Sequence, residues 1–400
     1  MSLTRPNTHP AIATPNSSNS HSNLINSHLH SFFTRNNLNP LDRDQCDIAA
    51  TRLHPDAVIR VFEHQGYCSY TLYASFFSWS ATHTSLLQFR PKQFAIDVEL
   101  VAKARLIYGA CVPRVWRPGT VKNPNAKAQH LEKRQLLIYE MDLLPGHPYP
   151  LLQPHTKSLS PDAYHRQLRL VRDLAAFLAR GYHAANTTTT TPASSPASTP
   201  QMTGKVGPHL TFKLSRLAHD LPTPRLRAHA QRALSRLHLL RALPLVLNHG
   251  DLVPTNVLVD RATFELRGVV DWAEAEVLPW GVCAYGVEYA LGWLASSSSA
   301  RGSMVGREWV YYDCAASLRR SFWDALAEEV PALREEGGEM GEAVRLARDV
   351  GVLLWYGYAW DEGLIDRVVN WERDEVECVC LEAFLGVDEE ERKDGIEAKL

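Results

Sequence analysis

Two short strand-like runs that contain β-branched valines, separated by a polar turn, constrain the fold of this chain most narrowly. Val257–Asp260 and Leu266–Val270 have the length of strands and lie close enough in sequence to pair as an antiparallel hairpin. Asn256 directly precedes the first run, and Asp271 directly follows the second. Both side chains therefore emerge at the same end of the predicted hairpin, beside the loop that carries Asp251.

These three side chains have the composition of a phosphoryl-transfer site. Mg²⁺ prefers hard oxygen ligands and keeps water and phosphate oxygens among them, so Asn256 and Asp271 can supply the protein's share. Asp251 is a separate carboxylate that can accept the proton of an attacking hydroxyl, worth about 10²–10⁴-fold in rate. The alternative is a polar loop between buried strands, with Asp251 as a turn former and Asp271 as a cap. The spacing His249-x-Asp251-x-x-x-x-Asn256 is that of the protein-kinase catalytic loop and favours the first interpretation.

The composition is ordinary for a soluble chain of more than one domain. Hydrophobic residues make up 45% and charged residues 22% of the 400 residues, and the formal net charge of −2 gives no broad electrostatic field. We therefore expect no nucleic-acid partner and no membrane partner. The seven cysteines are scattered without disulfide or zinc spacing, which indicates a reducing compartment. With no secretory signal and no apolar span, the predicted location is cytoplasmic.

The secondary-structure signal changes character once along the chain. Short runs rich in β-branched and aromatic residues predominate from about 56 to 140, interrupted by a helical pattern at about 95–108. From residue 160 onward the apolar spacing is mainly helical, with further helices predicted near 308–328, 341–360 and 374–385. The predicted strands of the first part are Ala57–Phe62, Tyr70–Phe77, Ser85–Arg90 and Gln135–Met141.

This change predicts an α+β protein with a strand-rich N-lobe at 41–141 and a mainly helical C-lobe at 142–387. Residues 1–40 are rich in Ser, Asn, Thr and His, and we expect them to be disordered. Residues 184–208 form a second low-complexity stretch, interpreted as a surface insertion in the C-lobe. Residues 388–400 are predicted to be a charged, solvated tail.

At its central motifs the chain resembles the aminoglycoside phosphotransferase and choline kinase group, which are relatives of the protein kinases. The motifs are His249-Gly250-Asp251 with Asn256, and Val269-Val270-Asp271-Trp272. The resemblance implies a bilobal protein-kinase-like fold with ATP between the lobes. It implies Asp251 as catalytic base and Asn256 and Asp271 as magnesium ligands, so ATP and Mg²⁺ are the expected cofactors.

The resemblance also implies ATP-binding residues in the N-lobe. Gly66 and Ser69 lie between two predicted strands, where such kinases carry a phosphate-covering loop, although an ordinary turn remains an alternative. The third strand carries Arg90 where the family has Lys, and arginine is not an equivalent substitute. Arg90 could pair with Asp97 or Glu99 on the following helix.

The predicted connection between the lobes reads Tyr139-Glu140-Met141-Asp142-Leu143-Leu144-Pro145-Gly146 and resembles the family's hinge. Backbone groups around Glu140 and Asp142 would then contact adenine. In the C-lobe, Asp361 and Glu362 could face a cationic substrate or cap a solvated helix end. Six aromatic residues there could line an acceptor pocket or, as is commoner, pack in the core: Trp280, Tyr285, Trp293, Trp323, Trp355 and Trp360.

The resulting prediction is a small-molecule kinase that moves the γ-phosphoryl group of ATP to a hydroxyl of a small-molecule acceptor. The alternative is a catalytically weak or inactive kinase-like protein that binds a nucleotide or a partner. Intact Asp251, Asn256 and Asp271 favour the enzyme, whereas Arg90 and the glycine-poor loop favour the alternative. A kinase acting on proteins is disfavoured, because Trp272-Ala273 follows Asp271 in place of an Asp-Phe-Gly sequence.

Overall fold

The strand-rich and helical parts of the chain form separate compact units. The computed structural model describes residues 29–77, 82–121, 135–188, 201–297, 306–334 and 338–393. Within them, one unit ends at Pro145 and the other begins at Gly146. The predicted α+β organisation, with strands in the first lobe and mainly helices in the second, is confirmed.

In its described residues, the N-terminal unit contains an antiparallel five-stranded sheet. The strands are β1 (Val58–Val61), β2 (Tyr70–Phe77), β3 (Thr82–Pro91), β4 (Val115–Val121) and β5 (Leu136–Asp142). Their order in the sheet is β1-β2-β3-β5-β4. Strand β2 coincides with the prediction. Strand β4 was not predicted, and it pairs with β5 through an irregularity between Trp116 and Gly119.

Two N-terminal helices share a core with one face of this sheet. Residues 29–35 are helical (α1), and Pro40–Leu53 form α2. Apolar side chains of α1 and α2 pack in one cluster with Leu87 and Phe89 of β3. The prediction of disorder through residue 40 is therefore wrong for residues 29–40, because Leu29, Phe32 and Phe33 recur at helical spacing and are buried. Residues 1–28 lie outside the described residues.

The C-terminal unit is mainly helical, and its first α-helix is long. Its strands occur in short pairs and in a three-stranded set among the described residues: β6 (His147–Pro148), β7 (Leu245–Asn248), β8 (Val257–Val259), β9 (Leu266–Val269), β10 (Glu276–Pro279), β11 (Gly292–Ser297) and β12 (Gly306–Tyr311). The N-terminal unit also contains helix α3 (Val98–Tyr108). The helices of the C-terminal unit are α4 (Pro161–Thr188), α5 (Leu210–Asp220), α6 (Pro224–Ser235), α7 (Ala315–Glu329), α8 (Glu339–Gly357) and α9 (Glu375–Lys393).

Both ends of the predicted low-complexity insertion belong to the folded unit. Helix α4 continues to Thr188, while residues 189–200 lie outside the described residues. After them, Thr203 exchanges hydrogen bonds with Val277 of β10, through its backbone N–H at 3.1 Å and its hydroxyl at 3.0 Å. The buried carboxylate of Glu276 accepts the N–H groups of Val206 and Gly207 at 3.0 and 3.1 Å. The folded part of the chain therefore resumes by Thr203, before the predicted end of the insertion at residue 208.

A buried charge network joins four elements of the C-terminal unit to the segment Val282–Ala290, which carries Glu288. Glu288 is fully buried and accepts hydrogen bonds from Arg319 of α7, Arg348 of α8 and Tyr311 of β12. Burial alone would raise the pKa of Glu288, but the two guanidinium groups outweigh it and lower the pKa to about 2. Arg348 also donates to the carbonyl of Phe384 in α9. Removing one partner would leave an uncompensated buried charge, so this network is structural.

The C-terminal end of the described chain is helical further than expected. Helix α9 runs to Lys393, so the backbone of residues 388–393 is helical, and the charged, solvated tail at 388–400 stays a prediction. Residues 394–400 lie outside the described residues. None of the described helices is both long and apolar enough to cross a membrane.

Candidate active site

The loop that carries Asp251 begins at the end of a short antiparallel pair. Strand β7 pairs with β10, with Asn248 opposite Glu276. The amide of the buried Asn248 side chain donates to the carbonyl of Leu278 across this pair at 3.1 Å. The end of β7, from which the chain enters His249-Gly250-Asp251, is therefore held in place against β10.

His249 links the Asp251 loop to the strand that leads to Asp271. Its ring is buried, with Nε2 2.9 Å from the carbonyl of Val270 and Nδ1 3.2 Å from the N–H of Asp251. A carbonyl only accepts and an amide N–H only donates, so these contacts fit a neutral ring protonated at Nε2. Burial agrees, since it lowers the pKa of His249 to about 4. The ring also packs edge-on against Trp272.

Gly250 is required by its backbone conformation and by its surroundings. Its φ of +76° lies in the left-handed region. A Cβ atom added here would come within 1.9 Å of the carbonyl oxygen of Glu274. The glycine thus lets the Asp251 loop lie directly against the segment that follows Asp271.

The side chain of Asn256 is bonded to Asp251. Its Nδ2 donates to the backbone carbonyl of Asp251 at 2.9 Å and to the Oδ2 of the carboxylate at 3.0 Å. Because the amide nitrogen is used in this way, Oδ1 of Asn256 is the atom left to act as a ligand. Asn256 is only 8% exposed, so its orientation is well constrained.

The predicted hairpin is confirmed, and it brings Asn256 and Asp271 to one end. Strands β8 and β9 pair antiparallel with Val257 opposite Val269, and the N–H of Val270 donates to the carbonyl of Asn256 at 2.9 Å. Asp271 then takes φ +60°, a conformation that is uncommon for residues other than glycine. The chain thus turns sharply at the residue predicted to bind metal.

The donor set at this end of the hairpin suits Mg²⁺. Asp271 offers a carboxylate and Asn256 an amide oxygen, both hard oxygen ligands. A hydrogen bond already fixes the orientation of the Asn256 amide. Two protein ligands leave room for the waters and phosphate oxygens that Mg²⁺ retains.

In the N-terminal unit, the loop predicted to cover phosphate is organised by its own side chains. Gln65 donates to the carbonyls of Phe62 and Thr71 and accepts the N–H of Thr71 at 2.9 Å. Ser69 is 3% exposed, and its hydroxyl lies 3.0 Å from that of Thr71, so its side chain points into the interior of the loop. The contact of Ser69 with ATP stays a prediction. Gly66 is exposed, and an added Cβ would have only the Ser69 hydroxyl within 4 Å, at 3.8 Å.

A residue that the sequence did not single out also holds this loop. Arg35 of α1 donates to the carbonyl of Tyr67 at 2.6 Å, and its guanidinium lies 3.5 Å from the centre of the Tyr67 ring. Both contacts tie the centre of the loop to the N-terminal helix. The relevant sequence signal was the helical spacing of the apolar residues around Arg35.

Arg90 lies on the third strand, as predicted, and is 2% exposed. Its partner in the ladder is Leu137, two residues from Tyr139, whose hydroxyl accepts the N–H of Ile96 just before α3. Arg90 therefore shares a sheet face with a residue that contacts the segment leading into α3. The Asp97 carboxylate caps α3 by accepting the N–H groups of its first turn, and Glu99 is exposed in that turn.

Glu140 and Asp142 are engaged within the sheet. Strand β5 pairs on both edges, and the N–H of Asp142 donates to the carbonyl of Arg114. The side chain of Glu140 accepts from Ser85 at 2.8 Å and lies 3.1 Å from His54. Partial burial would raise the pKa of Asp142, but hydrogen bonds from Arg114 outweigh it and lower the pKa. The adenine contact thus remains a prediction. Because β5 is paired on both edges, we expect this contact at the residues that follow the strand.

Several of the aromatic residues considered for an acceptor pocket belong to the core. Trp280, Tyr285 and Trp323 are buried, and Nε1 of Trp280 donates to the carbonyl of Leu178. Asp361 does not offer an isolated charge, since its carboxylate accepts two hydrogen bonds from Arg367.

Comparison with known proteins finds a family match over the central part of the chain. Residues 88–281 match the phosphotransferase enzyme family. The resemblance drawn from the motifs is confirmed, and the matched region contains Arg90, Asp251, Asn256 and Asp271. It ends just before the segment Val282–Ala290 and begins after the loop of Gly66. No curated protein sequence matches the chain.

The solved structures that are similar to the chain are remote from it in sequence. An ethanolamine kinase of Plasmodium vivax is 10% identical with a TM-score of 0.44, covering 96% of this chain and 98% of its own. A choline/ethanolamine kinase family protein of Mesorhizobium loti is 14% identical with a TM-score of 0.43, covering 88% and 97%. An aminoglycoside phosphotransferase of Streptomyces rimosus, in complex with ADP and streptomycin, is 14% identical with a TM-score of 0.37, covering 77% and 98%.

Proposed function

We propose that this chain is an ATP-dependent phosphotransferase that moves the γ-phosphoryl group to a hydroxyl of a small molecule. The observation that carries the proposal is the bonding of Asn256 to Asp251 on the hairpin that ends at Asp271. A candidate base and two candidate metal ligands thereby share one locally fixed segment. The match of residues 88–281 to the phosphotransferase family supports the same reaction class.

Asp251 is the proposed base. As the acceptor oxygen bonds to the γ-phosphorus, the bond from that phosphorus to the leaving oxygen of ADP breaks. The hydroxyl proton passes to the Asp251 carboxylate. Asn256 keeps that carboxylate oriented through Nδ2, and neutral His249 holds the loop against Val270.

Asn256 Oδ1 and the Asp271 carboxylate would hold Mg²⁺, which when bound neutralises charge on the β- and γ-phosphates. Gly66 and Arg90 are the proposed phosphate contacts of the N-terminal unit, and Glu99 the proposed acid of α3. Adenine would meet the backbone of Leu143 and Leu144, which directly follow the ladder of β5. The proposed location remains cytoplasmic, with neither nucleic acid nor membrane as a partner.

The test is turnover of Mg²⁺-ATP with a panel of hydroxyl acceptors that includes amino sugars and choline-like amines. Asp251→Asn should remove turnover while thermal stabilisation by Mg²⁺-ATP persists, because a ligand that binds the native state raises stability. Asp260→Asn is the matched control. Asp260 lies at the other end of the hairpin, where its Oδ1 accepts the N–H groups of Ala262 and Thr263, and an amide oxygen can replace it there.

A second candidate is a nucleotide-binding protein without turnover. The inward-facing Ser69 and the buried Arg90 favour it, because both differ from an open phosphate-binding loop with a reaching lysine. Stabilisation by ATP, combined with no turnover across the whole panel, would establish this candidate and refute the enzyme.

A further inference from the structure

Three consecutive backbone N–H groups around Asp251 each meet a side-chain acceptor. The N–H of Gly250 points to Sγ of Cys283 at 3.4 Å, and that of Leu252 donates to the hydroxyl of Tyr285 at 3.1 Å. The N–H between them, of Asp251 itself, donates to Nδ1 of His249. The candidate base is thus held by its own backbone on both sides.

Two of these acceptors come from a single short segment. Cys283 and Tyr285 belong to the 3-10 helical segment Val282–Ala290, which lies just beyond the region that matches the phosphotransferase family. The segment is anchored in turn, since the N–H of Cys283 lies 3.3 Å from Oδ1 of Asn248, the residue that precedes the Asp251 loop. Loop and segment therefore fix each other in both directions.

The packing leaves this segment little freedom to move away from the loop. Both acceptor residues are 2% exposed, and the Tyr285 ring is stacked on Trp355 with 5.7 Å between ring centres. A Cβ atom added at Gly286 would lie 2.7 Å from the Leu252 side chain and 2.9 Å from its carbonyl oxygen. Such close backbone approach holds the acceptor atoms at a set distance from the N–H groups.

The chemistry of the two acceptors suits this task. Burial raises the pKa of the Cys283 thiol to about 12, so the sulfur is protonated and weakly basic. Burial also raises the pKa of Tyr285, whose hydroxyl accepts a hydrogen bond as a neutral group. Neither residue adds a charge beside Asp251, so the carboxylate remains the local negative group.

We propose that Cys283 and Tyr285 are positioning residues for Asp251, which hold the N–H groups on either side of it and thereby set the direction of its carboxylate. This inference rests on the proposed function for its catalytic consequence. A displacement of about 1 Å in a reacting group costs on the order of 10²-fold in rate. The residues act through the loop backbone and have no contact with the reacting atoms in this assignment.

The test compares Cys283→Ala, Cys283→Ser and Tyr285→Phe with the wild-type chain. Cys283→Ala and Tyr285→Phe should each lower kcat by roughly 10- to 100-fold, with the KM values for ATP and acceptor changed less than about twofold. Cys283→Ser restores an acceptor and should recover most of the loss. Cys378→Ala, which removes a fully buried thiol in α9, should leave kcat unchanged.

Hydrogen exchange at the N–H groups of Gly250 and Leu252 provides a readout that does not depend on turnover. Exchange should become faster at Gly250 in Cys283→Ala and at Leu252 in Tyr285→Phe, but not in Cys378→Ala. If kcat or exchange is unchanged in both variants while thermal stability falls as in Cys378→Ala, the two residues only fill the core and the inference is wrong. If the wild-type chain has no turnover, the proposed function fails, and exchange alone decides whether the anchoring exists.

Discussion

The segment His249–Asp271, which contains the Asp251 loop and the β8–β9 hairpin, and the Gly66 loop are organised in different ways, although both were predicted to contact the same nucleotide. In the first segment, the contacts among His249, Asp251, Asn256 and Val270 span about twenty residues. In the Gly66 loop, one decisive contact comes from Arg35 of a separate helix. The reactive side chains of the first segment are visible as a motif because they are neighbours in sequence. The distant residues that support either segment, Cys283 with Tyr285 or Arg35, leave no motif.

Within the segment His249–Asp271, we expect Gly250 to be the residue least tolerant of substitution. Gly250→Ala is expected to cost at least about 1–3 kcal/mol for the left-handed backbone alone, with the contact to the Glu274 carbonyl in addition, and to abolish turnover. Thermal unfolding and kcat measure both effects. Gly119→Ala is the control, since an added Cβ there has no atom within 4 Å, and its stability should stay within about 0.5 kcal/mol. Equal behaviour of the two variants would contradict the assigned role.

The stability of the same segment should also depend on pH through His249. Its folded-state pKa of about 4 lies below the ordinary 6.5, so the unfolded chain binds more protons between these values. Stability present at neutral pH should therefore fall as the pH drops from about 6.5 to 4, by on the order of 3 kcal/mol in total.

Urea unfolding of wild-type and His249→Gln chains at several pH values measures this contribution. The free energy of unfolding of the variant should be lower at pH 7 and should depend less steeply on pH below 6.5. Parallel curves for the two proteins would show that His249 is not held neutral.

In the Gly66 loop, the largest expected effect is that of Arg35→Ala. Loss of the bond to the Tyr67 carbonyl and of the contact with its ring should loosen the loop by about 1–2 kcal/mol and weaken ATP binding roughly 5- to 30-fold. Titration calorimetry with Mg²⁺-ATP measures the change. Arg43→Ala is the matched control, because Arg43 lies over Tyr70 of the sheet and not over the loop. Equal affinities of the two variants would separate the loop from ATP binding.

The smallest effect is expected at Gly66. Gly66→Ala should change the free energy of unfolding by less than about 0.5 kcal/mol, since φ is not positive and nearby space is open. ATP affinity should nevertheless fall a few-fold if backbone and phosphate approach closely here. An unchanged dissociation constant would make Gly66 an ordinary turn residue.

The sequence predicted what depends on local pattern. Strand Tyr70–Phe77 and the Asn256–Asp271 hairpin were correct because β-branched runs and flanking polar residues lie next to one another. Strand β4 was missed because its Pro118 and Gly119 are typical of a turn, and the irregularity in its pairing accommodates them.

The remaining differences arise from contacts between distant segments. Helix α1 was concealed by a polar composition in which only Leu29, Phe32 and Phe33 carry the apolar spacing. Cys283 and Tyr285 accept hydrogen bonds from backbone N–H groups. Such bonds leave no sequence motif, because almost any residue can supply a backbone donor. The side-chain direction of Ser69 likewise depends on the fold and not on its neighbours in sequence.

The docking of both ends of the 184–208 stretch has a consequence for the connectivity of the chain. In helix α4, the carbonyl of Leu178 accepts a hydrogen bond from the Trp280 indole. Beyond the gap, Thr203, Val206 and Gly207 are hydrogen-bonded to β10. The covalent path from 188 to 201 is therefore not what holds these two segments together. Evolution or design can lengthen that path at a cost of only about 0.6 kcal/mol per doubling, which makes it a natural place to graft a foreign peptide or to divide the polypeptide into two complementing halves.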